Sequence, residues 1–207
     1  MHISDGVLSA PIWIGSYAVT AVIVTVTSRK IIPEDIPKIA VMTSIFFVAS
    51  LIHVPLGPTS VHLILNGLVG IILGPMAFVS IFLGLILQAI LFQHGGITTI
   101  GANSVVMGVP ALFAYKIFNL HWRFHFKSNE AIFGAIAGAT GVFVGILILA
   151  TLLVSTGSEF IGVAKYAALA HLPVIVIEAI IAGFVVSFLT KVKPEILKKG
   201  GVRNEKD

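Results

Sequence analysis

The 207-residue chain has no cysteine and few charged residues. Without cysteine, neither a disulfide nor a thiolate metal site can form. Asp, Glu, Lys and Arg make up 11% of the chain, against about 25% in soluble domains. Apolar residues make up 57%, and the mean hydropathy is +1.06. These values predict an integral membrane protein that forms a single transmembrane domain over residues 1–207.

Several signatures of enzymes are also missing. Without a GxxxxGK[ST] phosphate-binding loop, the chain is not expected to hydrolyse ATP by that mechanism. The lack of HExxH and GxSxG argues against an intramembrane protease or esterase. The net charge of +4 is explained by membrane topology, so no nucleic-acid partner is expected. The prediction is a membrane protein that is not an enzyme.

Seven apolar segments come near the ~20 residues that a helix needs to cross the hydrocarbon core. They cover residues 9–27, 36–52, 61–74, 76–92, 102–118, 131–154 and 171–189. The third and fourth are separated only by Gly74-Pro75, a strong turn signal. Because the third is short, its helix must tilt or end in loop structure. The pattern predicts an all-α protein with seven transmembrane helices.

The basic residues orient these helices. Twelve of the thirteen Lys and Arg residues fall on one side of a seven-helix topology, and only Lys165 falls on the other. Basic loops face the cytoplasm, so the N-terminus is predicted outside and the basic tail, residues 190–207, inside. The first segment lacks the basic flank of a signal peptide. It is expected to remain uncleaved and to begin with the free amine of Met1, because a large second residue normally prevents removal of the initiator methionine.

This topology groups the histidines. Five of the seven lie on the outer side: His2, His53, His62, His94 and His171. His121 and His125 lie inside, in a basic stretch. Imidazoles gathered at the outer face indicate a site for an incoming metal ion.

The first two residues form a potential chelate. The α-amine of Met1, the amide nitrogen of His2 and its ring Nδ1 can wrap one metal in fused rings. Tetragonal nitrogen sets of this kind are diagnostic of Ni(II) or Cu(II). The amide must lose its proton, so binding should weaken in acid. One position remains, and His62 is the candidate for it, with His53 as the competitor. Alternatively, His62 is only an interfacial residue and Ser60 a helix cap.

Other polar residues are candidates for supporting the N-terminal loop, residues 1–8. Asn103 either caps the helix of segment five or holds the Met1 amine or a histidine ring. Ser60 and Asp5 are the remaining candidates for such support. Glu178 is the clearest charge within a span, and it either carries a proton or cation or pairs with His171. Gln88, Gln93 and Asn66 are interpreted as interhelical hydrogen bonders, and the glycines of segment six as packing sites.

Three stretches, MHISDGVLS, TSVHL and GGITTIGAN, resemble the nickel/cobalt substrate-binding subunits of energy-coupling factor transporters, the CbiM/NikM family. The resemblance covers the whole chain in order. It implies an extra N-terminal helix before a six-helix bundle. It also implies a metal held by four nitrogens: the Met1 amine, the amide and ring of His2, and the ring of His62. The substrate is then Ni(II) or Co(II), with no organic cofactor.

The same resemblance implies the setting. The chain would lie in the cell membrane of a prokaryote with a transmembrane coupling subunit, cytoplasmic ATPase subunits and, in some systems, a small accessory membrane subunit. Affinity order favours Ni(II), and cobalt uptake for cobalamin synthesis is the alternative. A metal-dependent membrane enzyme would need an open coordination position and a nearby base, and only Asp5 is near. A secondary transporter driven through Glu178 would favour an inverted repeat, and none is evident.

Overall fold

Eight α-helices and one β-hairpin form the part of the fold described by a computed structural model, residues 1–56, 59–124 and 126–197. The side chains of residues 53–61 lie outside that description. In chain order the elements are α1 (Ala10–Ser28), α2 (Ile36–Leu51), β1 (His53–Leu56), β2 (Thr59–His62), α3 (Asn66–Leu73), α4 (Ala77–Phe92), α5 (Ile100–Phe118), α6 (Asn129–Thr156), α7 (Ile161–Ala170) and α8 (Leu172–Val192).

The helical class predicted from hydropathy is confirmed. Five helical stretches among the described residues are long and apolar enough to cross a membrane: Ala10–Ser28, Asn66–Phe92, Ile100–Arg123, Asn129–Thr156 and Ser158–Val192. The seven crossings and the outward N-terminus stay predictions. Residues 198–207 of the predicted basic tail, and His125, lie outside the described residues.

Two local predictions were wrong. The helix expected over 61–74 begins at Asn66, because Thr59–His62 pairs as an antiparallel strand with His53–Leu56. Ser60 therefore lies in a strand, and the N-cap position of that helix is Leu65. The ten-residue helix α7 was not predicted at all, because Glu159 and Lys165 interrupt the apolar pattern there. The short third segment was expected to tilt or to end in loop structure, and a β-hairpin precedes its helix.

Helix α3 forms the centre of the bundle, and all eight of its residues are buried. It packs against α4, α5 and α6. A Cβ atom added to Gly67 would come within 2.7 Å of the Cα of Gly138 on α6, and one added to Gly70 would overlap the carbonyl of Ala111 on α5. Glycines are therefore required where α3 meets both neighbours.

Helix α6 uses its glycines inside the chain, as expected. Added Cβ atoms would meet Val186 at Gly134, the carbonyl of Glu178 at Gly138, Asn66 at Gly141 and the Met1 side chain at Gly145. Asn66 also donates to the carbonyls of Met107 and Gly141, which confirms it as an interhelical hydrogen bonder. Close backbone approach thus fixes α6 against α3, α8 and the N-terminus.

The central packing is testable at Gly70. Gly70→Ala should destabilise the fold by at least the roughly 1–3 kcal/mol typical of an overpacked core, because its Cβ meets backbone that cannot rotate away. The matched control is Gly15→Ala in α1, where an added Cβ meets nothing within 4 Å. Thermal unfolding in detergent should show a lower midpoint for Gly70→Ala alone. Equal midpoints for the two variants would contradict the packing.

Candidate metal centre

The amino terminus runs into the bundle and is buried there. Met1 and Ile3 are each 3% exposed. The Met1 side chain packs directly against Gly145. Its Sδ lies 3.0 Å from the point where a Cβ on that glycine would be. Asn103 of α5 holds the next turn of chain: its Oδ1 accepts from the Ile3 N–H at 2.8 Å, and its Nδ2 donates to the Ile3 carbonyl at 3.0 Å. This bidentate pair fixes the backbone beside Met1 and His2.

The loop between α4 and α5 also binds the N-terminal segment, through hydrogen bonds to Asp5. The Asp5 N–H donates to the Gly95 carbonyl at 2.8 Å, and the Asp5 carboxylate accepts from the N–H groups of Ile97 and Thr98. Gly95 and Gly96 have φ of +86° and +110°, and a Cβ on Gly95 would come within 2.8 Å of Asn103 Nδ2. Glycine is needed here for conformation and for space. Asp5 therefore anchors the loop to the N-terminal segment.

His62 is positioned by the turn between β2 and α3. It is 3% exposed and ends the hairpin. Glu178 of α8 accepts from the N–H groups of Ile64 and Leu65 at 2.5 and 2.8 Å. Leu65 lies in the left-handed region, with φ of +54°. The buried carboxyl group of Glu178 satisfies two backbone amides of the turn that leads into α3. Glu178 is thus a positioning residue for the segment that carries His62.

A hydrogen-bonded chain sets the tautomer of His2. The Ser50 hydroxyl donates to the Phe47 carbonyl at 2.7 Å, so it accepts from Nε2 of Gln88, also at 2.7 Å. The amide oxygen of Gln88 then faces the His2 ring and accepts from its Nε2 at 2.8 Å. Because a neutral imidazole carries one proton, the Nδ1 of His2 is left with a lone pair.

His62 is fixed in the complementary way. Its Nδ1 donates to the Leu63 carbonyl at 2.8 Å, so its Nε2 carries the lone pair. That Nε2 lies 3.1 Å from Nδ1 of His2 and 2.8 Å from the amine of Met1. Two imidazole lone pairs are therefore turned toward each other beside an amine. A cation between the three nitrogens relieves that repulsion.

The nitrogen–nitrogen distances fit square-planar coordination of a metal. Four nitrogens bound at about 1.9–2.0 Å in a plane have edges of about 2.7–2.8 Å. The two edges that end on His62 Nε2 are 2.8 and 3.1 Å. In a chelate of the Met1 amine, the His2 amide and the His2 ring, the amine and the ring are trans. A fourth ligand then adjoins both of them, which is where His62 lies.

Burial keeps the metal-binding lone pairs of these nitrogens unprotonated at neutral pH. It lowers the pKa of the Met1 amine from 8.0 to about 5. Burial first, and then the charge of the amino terminus, lower the pKa of His2 and of His62 well below 6.5. At neutral pH all three nitrogens are bases, so no proton competes with a metal for them.

Two further histidines lie close by. His2, His62 and His94 form a group whose ligand atoms all lie within 4.8 Å of one another. His171 is 1% exposed, and its Nδ1 donates to the Ala167 carbonyl. With Met1 and His2 it lines a small cavity of about 130 Å³. The side chains of His53 and Ser60 fall outside the described part of the chain.

Sequence reasoning missed the positions of Gln88 and Glu178 beside the site, and the proximity of His94 to His2. Gln88 was expected to bond between helices, and it does, but its second bond orients His2. His94 was placed on the outer side without a role. Gln93, also expected to bond between helices, is exposed and caps α4 at φ of +53°. A polar amide in an otherwise apolar helix was the available signal for Gln88.

The sequence and the fold both match known transporters. The family described as the cobalt uptake substrate-specific transmembrane region, CbiM, matches residues 2–196. The chain belongs to this family. A protein of Haemophilus influenzae named for metal transport is 34% identical over 96% of this chain and 98% of its own length. A crystal structure of a transition metal transporter is 31% identical, covers 93% of each chain and has a TM-score of 0.84.

Nickel occurs among the relatives as well. A fused nickel transport protein, NikMN, of Rhodobacter capsulatus is 36% identical over 53% of this chain and 33% of its own length. Together with the apolar helices, these matches make this CbiM-family chain a multi-pass membrane protein of the cobalt/nickel transport type. The names of these relatives describe transport, not catalysis.

The role of Gln88 can be tested by retracting its amide by one methylene. Gln88→Asn should weaken Ni(II) binding by about 10–100-fold, the usual cost of removing the partner that orients a metal-ligating histidine. Gln93→Asn, the same chemical change at an exposed neighbour, should leave affinity unchanged. Isothermal titration with Ni(II) measures both, and unchanged affinity in Gln88→Asn would contradict the tautomer argument.

Proposed function

We propose that this protein captures Ni(II) at the outer face of a prokaryotic cell membrane and passes it inward when coupled to energising partners. The observation that carries the proposal is the convergence of the Met1 amine, His2 Nδ1 and His62 Nε2 with edges of 2.8 and 3.1 Å. The fourth nitrogen is the amide of His2, which ionises as the metal binds. Asn103, Asp5 and the turn held by Glu178 keep the donors in place.

The topology proposed from the basic residues agrees with the position of the site. The amino terminus, the C-terminus of α4 and the N-terminus of α5 meet at the metal centre. Arg29 and Lys30 follow the far end of α1, and Lys116 lies in the last turn of α5. Basic residues favour the cytoplasmic side, so the centre faces outward. Seven crossings result if α2 and the α3–α4 unit contribute three of them.

The donor set favours Ni(II) over other divalent ions. Four nitrogens in a plane suit a metal that accepts square-planar geometry, whereas Zn(II) is usually tetrahedral. Affinity at a given site rises from Co(II) to Ni(II). Cobalt uptake, which the family's description names, is the alternative substrate for the same centre.

Transport needs partners that this chain does not supply. The sequence carries no phosphate-binding loop for ATP. We therefore propose an energy-coupling factor assembly with a transmembrane coupling subunit and cytoplasmic ATPases. The fused NikMN relative supports an additional membrane partner.

The other functions considered have less support. An enzyme would need a base beside the metal, but the Asp5 carboxylate is engaged by the 97–98 loop. A secondary transporter driven by Glu178 would need a mobile carboxylate. One oxygen of Glu178 is held instead by two backbone amides.

The free amine is the most specific element of the proposal. Three alanines inserted before Met1 should weaken Ni(II) binding by at least about 100-fold, or about 3 kcal/mol, because they move the free amine away from the histidines and push chain into a buried site. A single added residue is avoided because it would place His2 third in the chain, where the new amine and two amides could chelate Ni(II) by themselves. The matched control carries the same three alanines after Asp207. Intact mass of the purified wild-type chain must first show Met1 at its start.

Normal Ni(II) affinity in the N-terminally extended chain would overturn the chelate. Circular dichroism and gel filtration of the extended chain separate loss of a ligand from loss of the fold. A wild-type chain that retains tight binding but does not begin at Met1 would overturn it equally.

A further inference from the structure

A third imidazole lies beside the proposed four-nitrogen plane. The ring centroid of His94 is 4.1 Å from that of His2 and 5.9 Å from that of His62. One ligand atom from each of the three rings lies within 4.8 Å of the others. The proposed plane, however, already has four nitrogens. His94 therefore needs a different role.

The direction of His94 follows from stacking. An imidazole that chelates with its own amide and amine lies close to the coordination plane. The His94 ring is tilted by 31° against the His2 ring at 4.1 Å, so it sits over one face of that ring and not at its edge. Because an imidazole lone pair lies in the plane of its ring, a ring stacked in this way is not directed at a metal in the closed plane. Its ligand atom is instead placed for an ion held among the three rings.

The backbone is built to hold His94 in this position. The C-terminus of α4 is closed by Gln93 in the left-handed region, and the N–H of His94 donates to the Gln88 carbonyl at 3.2 Å. Gly95 and Gly96 follow with positive φ and bring the loop against the amino terminus. A polar cavity of about 470 Å³, lined by Asp5, Gln93 and Gly95 among others, opens beside it. His94 and His2 are both partly exposed, whereas His62 is 3% exposed.

Coordination chemistry separates two stages of binding. Neutral imidazoles bind a hydrated divalent ion by displacing water, with no loss of a proton. The amide nitrogen of His2 binds only when its N–H proton leaves, and that requires a metal already anchored nearby. Three imidazoles are a familiar anchor for divalent metals. An incoming ion meets the partly exposed rings of His94 and His2 before the buried ring of His62.

We propose that His94, with His2 and His62, forms a capture site that takes the hydrated metal ion before the four-nitrogen plane closes. This inference rests on the proposed uptake function and deepens it. In the second step the metal–nitrogen bond to the His2 amide forms, the amide proton passes to water, and the bond to His94 breaks. His94 thus controls the rate of loading, and the plane controls the affinity.

The test is stopped-flow mixing of the full-length protein in detergent with Ni(II). Consumption of free metal is followed with a metal indicator, and closure of the plane by the yellow colour of square-planar nickel. Wild type should show fast metal consumption, followed by slower colour that is independent of metal concentration. His94→Gln should slow metal consumption by about 10-fold or more while leaving the final colour and, within about threefold, the equilibrium affinity unchanged. Gln93→Asn is the matched control and should behave as wild type.

The outcomes distinguish this inference from the proposed function. Yellow wild-type protein whose loading rate is unaffected by His94→Gln overturns the capture site alone. Loss of equilibrium affinity in His94→Gln makes His94 a resident ligand and also overturns it. A wild-type protein that binds nickel without yellow colour overturns the four-nitrogen plane, and with it the proposed function.

Discussion

The lone pairs of the His2 and His62 rings face each other beside the buried amino terminus, and hydrogen bonds prevent either ring from turning away. The Phe47 carbonyl fixes Ser50, Ser50 fixes Gln88, and Gln88 fixes the proton of His2. The Leu63 carbonyl fixes the proton of His62 directly. Backbone oxygens that cannot change their role as acceptors thus determine where both lone pairs point. A cation is the natural partner for such an arrangement, and the amine of Met1 completes its surroundings.

Much of the remaining structure serves to hold this arrangement against repulsion and desolvation. Asn103 ties down Ile3 with two hydrogen bonds, and Glu178 ties down the turn after His62 from the opposite side. Close packing supplies the rigidity behind them, because glycines let α3 and α6 approach backbone to backbone. Functional constellations are precise when packed elements support each ligand. Here the supports reach the site from α4, α5 and α8.

Part of this could be predicted from the sequence. Hydropathy located the long helices, because a run of about twenty apolar residues has few alternatives. The chemistry of an N-terminal Met-His pair suggested the chelate, and the family resemblance selected His62 as its partner. The roles of Gln88 and Glu178 could not be predicted, because each contacts the site across 86 or more positions of chain. The hairpin and α7 were missed because short apolar runs have no decisive period.

The proposed function depends on the coordination geometry at the amino terminus. The most direct measurement is X-ray absorption at the nickel edge on the metal-loaded, full-length chain. Four nitrogens at about 1.9 Å in a square plane are predicted, shorter than the roughly 2.0–2.1 Å of ordinary imidazole bonds to zinc. A six-coordinate spectrum dominated by oxygen would contradict the account, because the amide of His2 and the amine of Met1 would then not be ligands.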